Sequence, residues 1–205
     1  MIIRPDPKEL TQGTIFTCAI SENYQSCDVY GLIITARCDV ANGKAPIFSY
    51  IPVLPYREWV AKDGAEIIAS RISANSLGEL KKIIKSVGLS ETILETISIS
   101  SILEDLEKDV SKDGKSRAKR FFDHVAKKAT ADEYILSGNQ QDAHSLIKEN
   151  TGLYHGLVKE LVGNSVADFH YLDQIEFGKN SDGYVALLRE IRFMPSRVAS
   201  RILDG

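Results

Sequence analysis

Four polar side chains that could do chemistry stand together near the start of the chain. The run from Tyr30 to Thr35 is almost continuously apolar, and Arg37, Cys38 and Asp39 follow it after Ala36. An arginine can clamp a phosphate or a carboxylate, and an aspartate can act as a base or orient a partner. Thr35, Arg37 and Asp39 are therefore the candidate catalytic residues, and Cys38 is a candidate nucleophile.

Each of these side chains also has an interpretation without chemistry. Thr35 and Asp39 are common turn residues. Cys38 can be a small core residue, and Arg37 can be an ordinary surface cation. The Asn42-Gly43 pair that follows is a turn signal and favours this structural interpretation. The sequence alone leaves both interpretations open.

A nucleophile at Cys38 would need a nearby cation and a histidine partner. The four histidines all lie far from Cys38 in sequence, and His170, beside a late apolar run, is the best placed to approach it. A lone histidine on a strand is more often structural. No Cys-x-x-Cys, His-x-x-x-His or His-Glu-x-x-His spacing occurs, so we expect neither a metal site nor another cofactor.

Two groups of basic residues are candidate binding surfaces for an acidic partner or a phosphate backbone. One lies on a predicted helix at residues 115–128 and the other on a predicted C-terminal helix, where two arginines four positions apart share a face. The candidate binding residues are Lys115, Arg117, Lys119, Arg120, Arg197 and Arg201.

Solvated helix faces also explain these charges. The first helix would have an apolar face opposite its basic residues, formed by Ala118, Phe121, Phe122, Val125 and Ala129. That spacing is typical of an ordinary amphipathic helix. Surface charge is likewise the more common explanation for the C-terminal arginines.

Strand-like runs occupy both ends of the chain. Runs at 14–20, 29–35 and 47–51 open it, and runs at 169–172 and 184–188 precede a final helix at 196–203. Because proline cannot donate to a sheet ladder, we expect Pro52 and Pro55 to end the third strand. Two strands do not form a stable sheet alone, so the late pair is expected to complete the early sheet.

Between these blocks, from about residue 56 to 162, apolar residues recur at helical spacing. Asn75 or Ser76 is expected to cap a helix that continues to Lys85 and stops at Gly88. The sequence therefore predicts an α+β protein. Residues 1–55 and 165–205 would form a β-domain, and residues 56–164 a helical insertion.

Several strand motifs are similar to those of a known family. They are Gly13-Thr-Ile-Phe16, Leu32-Ile-Ile-Thr35, Ser49-Tyr-Ile-Pro-Val53 and Val185-Ala-Leu-Leu-Arg-Glu-Ile191 before a terminal helix. They resemble PemK/MazF-type toxins, small bacterial endoribonucleases that pair with antitoxins. The resemblance implies an SH3-like β-barrel, here interrupted by a large helical insertion and closed by C-terminal strands and a short helix.

The resemblance also implies a site. Thr35 matches the family's Ser/Thr position, but Val29 and Tyr30 stand where the family has its catalytic Arg-Pro pair. Arg37 is the residue that could replace the missing cation and stabilise charge on the transferring phosphate. Thr35 and Asp39 would then position the 2′-hydroxyl for cleavage of RNA without a metal.

Composition bounds the class of protein. The 205-residue chain is 43% hydrophobic and 26% charged, with a formal net charge of -3. These values are ordinary for a globular domain and argue against a chain built around nonspecific nucleic-acid binding. No apolar run approaches the roughly 18 residues of a membrane span, no signal-peptide pattern occurs, and the cysteines have no paired spacing. We therefore expect a cytoplasmic protein that does not bind membranes.

Two functions compete at this point. The first is a bacterial toxin–antitoxin or phage-defence protein that contacts RNA or a nucleic-acid-handling partner and acts, in one version, as a metal-independent endoribonuclease. The second is a noncatalytic protein-interaction module whose helical block docks a larger effector complex. Both predict a cognate protein partner, and the oligomeric state is not predicted. The polar cluster favours the first function and the missing Arg-Pro pair the second.

Overall fold

The sheet is organised around one long strand that has partners along both edges. The computed structural model describes residues 10–42, 44–139, 142–175 and 182–204. Its strands are β1 (Ile15–Phe16), β2 (Tyr30–Ile33), β3 (Ile47–Pro55), β4 (Phe169–Leu172), β5 (Tyr184–Leu187) and β6 (Arg192–Pro195).

All pairings in this sheet are antiparallel. β2 pairs with one edge of β3, while β6 and β5 pair in succession along the other edge. β1 extends the sheet beyond β2, and β4 extends it beyond β5. The α+β class is therefore confirmed. Among the described strands the sheet is open, so its closure into a barrel remains a prediction.

The prediction that proline ends the third strand is wrong, because β3 runs through Pro52 to Pro55. The amide of Ile34 donates to the carbonyl of Ser49, which points that part of Ser49 toward β2. Backbone groups alternate between the two edges, so the missing N–H of Pro52 faces the opposite edge. There β6 ends its pairing at Tyr50 and β5 begins at Val53, so no ladder bond is lost.

Two other strand boundaries differ from the sequence prediction. The first run is a regular strand only over β1, because Cys18 has a φ of 59°, a left-handed conformation that interrupts the extended chain. β6 was not predicted at all. Pro195 ends β6, and the last helix begins at the next residue, as expected.

The helices follow the predicted blocks. They are α1 (Arg37–Ala41), α2 (Tyr56–Trp59), α3 (Ala65–Ser86), α4 (Ile93–Thr96), α5 (Ile99–Glu107), α6 (Lys112–Ser137), α7 (Ala143–Glu149), α8 (Thr151–Val162) and α9 (Ser196–Asp204). A π-helical turn, Val60–Gly64, joins α2 to α3.

The predicted cap of the long helix is wrong, whereas its predicted stop is confirmed. Asn75 and Ser76 lie in the interior of α3, and Ser76 is buried. The helix starts earlier because the π-helical turn leads directly into it. At the other end Gly88 has a φ of 78°, and its amide donates to the carbonyl of Lys85.

The chain forms two compact units, which we call unit 1 (residues 1–61 and 155–205) and unit 2 (residues 62–154). In unit 1 both faces of the sheet carry apolar clusters. Phe48 and Met194 belong to one cluster, and Val53 and Tyr184 to the other. The buried Trp59 ring packs edge-on against Phe169, 5.1 Å away between ring centroids.

Unit 2 has a helical core of its own. Its long helices α3 and α6 pack along each other, and α5 packs against α6. The core residues are Leu80, Ile83, Ile84, Ile102, Leu106, Ala118 and Phe121. Phe122 and Ala129, predicted to share the apolar face of α6, are instead exposed, because that face is narrower than the sequence suggested.

Candidate functional site

The polar cluster lies where β2 gives way to α1. Strand pairing ends at Ile33, and the chain turns at Ala36 into a single helical turn. Val40 packs from this turn against the core beneath it. Arg37, Cys38 and Asp39 consequently project from α1 into solvent.

Thr35 is engaged with the backbone of β3. The amide of Ser49 donates to Thr35 Oγ1 at 2.6 Å, and the hydroxyl of Thr35 can donate back to the carbonyl oxygen of Ser49 at 3.5 Å. The side chain thus continues the β2–β3 ladder one step past the last paired residue. One acceptor position of the hydroxyl is left for anything else.

The three residues on α1 have few contacts. Arg37 has no hydrogen-bond or ion-pair partner within the described part of the chain. The sulfur of Cys38 lies 3.8 Å from Oδ1 of Asp39. A neighbouring cation activates a cysteine, and this neighbour is an anion, so the geometry does not favour a nucleophilic thiol. Cys18, Cys27 and Cys38 form no disulfide within the described residues.

The register separates His170 from this cluster. His170 on β4 is opposite Ala186, which is opposite Val53, which is opposite Tyr30. Three inter-strand steps of about 4.8 Å separate the two ends of that row. Cys38 lies further off, beyond the far end of β2. The hypothesis that His170 meets the early cluster is therefore wrong.

An exposed apolar patch, which the sequence did not reveal, flanks the same corner of the sheet. Phe193 is opposite Ser49, so their side chains share a face of the sheet. Ile47 lies on that face two residues before Ser49, and Ile191 lies two residues before Phe193. The exposed fractions are 52% for Ile47, 52% for Ile191 and 69% for Phe193. We call Ile47, Ile191 and Phe193 the apolar patch.

The signal for this patch was present in the sequence but ambiguous. Ile191, Phe193 and Pro195 alternate with Arg192 and Met194, the period of a strand. The proline suggested only the start of a helix. Since Met194 is buried and Phe193 exposed, the alternation marks the two faces of β6.

The carboxylate of Glu190, just before β6, holds the loop at Ser21 and Glu22 to this end of the sheet. Glu190 accepts hydrogen bonds at 2.8 Å from the hydroxyl of Ser21, the amide of Glu22 and Nε of Arg192. Arg192 also pairs with Glu22 at 3.1 Å. Burial acts to raise the pKa of Glu190, but these hydrogen bonds outweigh it and hold the pKa below its ordinary value. These hydrogen bonds give Glu190 a structural role, because they connect the early loop to the residues at the start of β6.

The predicted basic face of α6 is divided by the structure. Lys115 and Lys119 point into solvent without a partner among the described residues. Arg117 lies 3.8 Å from Asp109, and Arg120 lies 3.4 Å from Glu79. The two arginines therefore point toward other residues of unit 2, whereas the two lysines point into solvent. The four residues do not form one basic surface.

The C-terminal pair is described only in part. Arg197 is exposed on α9 and has interactions of its own. The side chain of Arg201 lies outside the described residues.

Within the described ranges, no three His, Cys, Asp or Glu residues lie close enough to hold a metal ion. In the same part of the chain, no helix has the length and apolarity needed to cross a membrane. No family model, characterised protein or solved structure matches this chain.

Proposed function

We propose that this protein is a noncatalytic interaction module and that unit 1 docks a protein partner through the apolar patch. The exposure of Ile47, Ile191 and Phe193 on one corner of an otherwise well-buried sheet carries the proposal. Contiguous exposed apolar surface on a folded domain is typical of an interaction site. Aromatic side chains are enriched at the centres of such interfaces, and Phe193 is the exposed aromatic residue of the patch.

Three observations count against chemistry at the polar cluster. The hydroxyl of Thr35 is used by the backbone of Ser49. The described neighbour of the Cys38 sulfur is a carboxylate. Positions 29 and 30 hold valine and tyrosine instead of the arginine and proline of the toxins. A docking role needs none of the missing groups.

The proposed setting is a toxin–antitoxin or phage-defence system in the bacterial cytoplasm. Its basis is the resemblance of the strand motifs to PemK/MazF-type toxins, and we propose that the open sheet is a variant of their SH3-like barrel. A protein partner is the expectation that this setting and the apolar patch have in common.

The second candidate is the metal-independent endoribonuclease. It is favoured by two exposed side chains of unit 1, Phe193 on β6 and Arg37 on α1. An exposed aromatic ring can stack on an unpaired base, and an arginine can bind the adjacent phosphate. In this alternative Arg37 and Asp39 act on RNA.

The docking proposal is tested by capture from cells that express the full chain. We expect the wild-type protein to retain one stoichiometric partner and Phe193→Asp to lose it, because a charge at the centre of the interface cannot be buried unpaired. Leu136→Asp is the matched control, since Leu136 is 88% exposed on α6, outside the patch. Retention of the partner by Phe193→Asp would contradict the proposal.

The same preparations decide between the two functions. Each is incubated with mixed RNA in the presence of EDTA, and we expect no cleavage. Cleavage that survives EDTA but is lost in Arg37→Ala would instead establish the endoribonuclease.

A further inference from the structure

Unit 2 contains a polar pocket of about 400 Å³ between its two long helices. Its polar lining consists of Lys82 and Ser86 from α3 and Asp113, Ser116, Arg117 and Arg120 from α6. Arg117 and Arg120 are the two arginines that the structure separates from the solvent-facing lysines of α6. Arg117 also lines a second pocket of unit 2 together with its ion-pair partner Asp109.

The cations of the pocket suit an anion. Lys82, Arg117 and Arg120 line it together with one carboxylate, Asp113, and two further carboxylates, Glu79 and Asp109, pair with these cations from outside the lining. A terminal phosphate carries between one and two negative charges near neutral pH. Ser116 adds a hydroxyl group that can donate to a phosphate oxygen, whereas the hydroxyl of Ser86 donates to the carbonyl of Ile83 at 2.6 Å. The first turns of α6 also contribute the positive end of the helix dipole.

Glu79 lies at the edge of this pocket and brings two of its cations together. One carboxylate oxygen lies 2.6 Å from Nζ of Lys82 and the other 3.4 Å from Nη2 of Arg120. The hydrogen bond from Lys82 is the main reason that the pKa of Glu79 is below its ordinary value. The ammonium and the guanidinium are thus already positioned around one anionic group.

The existing ion pairs are weak enough to yield to a stronger ligand. The side chains of Lys82 and Arg120 are 73% and 57% exposed, and Arg117 approaches Asp109 only to 3.8 Å. Exposed pairs of this kind contribute little free energy. A phosphate that contacts all three cations at once makes several charge-assisted hydrogen bonds in their place.

We propose that this pocket binds a phosphate group, with Lys82, Arg117 and Arg120 as its cationic ligands. The phosphate belongs either to a free polyphosphate or to an RNA, and the chemistry at the pocket is the same in both cases. The site lies in unit 2 and does not depend on the docking role proposed for unit 1.

The test measures binding of three probes to the full-length protein by calorimetry. The probes are pyrophosphate, an eight-nucleotide RNA with a 5′-phosphate, and the same RNA with a 5′-hydroxyl. Binding of pyrophosphate alone would identify the ligand as a free anion. Binding of the 5′-phosphorylated RNA alone would identify an RNA end, and equal binding of both RNAs would identify the RNA backbone.

The variants separate the pocket from general surface charge. Arg117→Gln with Arg120→Gln is expected to raise the Kd at least about tenfold, because each arginine loses a charge-assisted hydrogen bond. Lys115→Gln with Lys119→Gln removes the same charge from the solvent side of the same helix, and we expect a change of less than about twofold there. Equal losses in the two pairs, or no saturable binding of any probe, would overturn the proposal.

A measurement on the wild-type protein keeps the test valid if a variant fails to fold. In an NMR titration of the wild-type protein with a probe that binds, the backbone amide resonances of Ser86 and Ser116 should shift. The amides of Ser73 and Asp132, at the other end of the same helix pair, should stay in place. Shifts that are absent at the pocket or uniform along both helices would contradict the site.

Discussion

Thr35 shows how one side chain can look catalytic in sequence and structural in the fold. A hydroxyl after an apolar strand, two positions before an arginine, fits a reacting group as well as a capping group. The distance of 2.6 Å between Ser49 N and Thr35 Oγ1 favours the second use. A donor at a strand end that would otherwise lack a partner needs an acceptor, and Thr35 supplies it.

Replacing Thr35 by valine should therefore destabilise the fold. Thr35→Val keeps the shape but leaves the half-buried amide of Ser49 unpaired, which costs about 1–3 kcal/mol. Thr35→Ser keeps the oxygen and should stay within about 1 kcal/mol of the wild type. Urea denaturation, monitored by tryptophan fluorescence, measures the free energy of unfolding of both variants. Equal stability of the valine and serine variants would show that the Ser49 bond contributes nothing.

Glu190 was missed at the residue scale for a physical reason. Its partners Ser21 and Glu22 lie at the other end of the chain, and Arg192 lies on a strand that was not predicted. Local patterns report helix and strand periods but not which distant residues meet. The candidate residues on α1 could be named from sequence because they are consecutive. The partners that decide their roles could not.

At the scale of elements, the pairing of β1 with β2 depends on a glycine, because Phe16 is opposite Gly31. The ring of Phe16 lies over Gly31, and a Cβ at position 31 would lie 2.2 Å from its Cζ atom. Phe16 is buried, so a displaced ring would have to shift within a packed core. Because β1 has only two residues, the contact between Phe16 and Gly31 makes up much of the packing of β1.

Gly31→Ala and Gly78→Ala should change stability in opposite directions. The first forces the Phe16 ring out of its place and should destabilise by about 1–3 kcal/mol. The second lies inside α3 with open space around its Cβ, so removing helical glycine should stabilise by about 0.5–1 kcal/mol. Urea midpoints of the two variants against wild type provide the measurement. Destabilisation of similar size in both would contradict the packing argument.

The elements that could be predicted are those with a strong local signal. The helical block, the late strands and the stop at Gly88 follow from periodicity and glycine placement. β3 was cut short because a proline is compatible with a strand only at a gap in pairing, and the gap depends on where β5 and β6 end. β6 was not predicted, because four alternating residues before a proline also fit the start of a helix.

At the scale of the molecule, each unit has its own apolar core. The clusters of unit 1 are built from strand residues, and the cluster of unit 2 from α3, α5 and α6. Domains with separate cores need not unfold together. The only tryptophan of the chain, Trp59, lies buried in unit 1 and reports on that unit alone.

We therefore expect two unfolding transitions. Fluorescence of Trp59 should follow unit 1, while circular dichroism at 222 nm should be dominated by the long helices of unit 2. The two urea curves should have different midpoints, because different cores are lost. A Trp59→Phe variant supplies the fluorescence background. Superimposable curves would mean that the molecule unfolds as one cooperative body.

The central position of β3 also has a consequence for synthesis. Val53 and Leu54 are fully buried in the folded protein, yet their partners on β5 come from far later in the chain. At roughly 5–20 residues per second, a ribosome reaches those partners on the order of ten seconds after it has made β3. During that interval the strand has an open apolar edge, while unit 2 is completed and can fold. A nascent chain of this protein therefore needs a chaperone most at β3, between the synthesis of its first fifty-five residues and of its last strands.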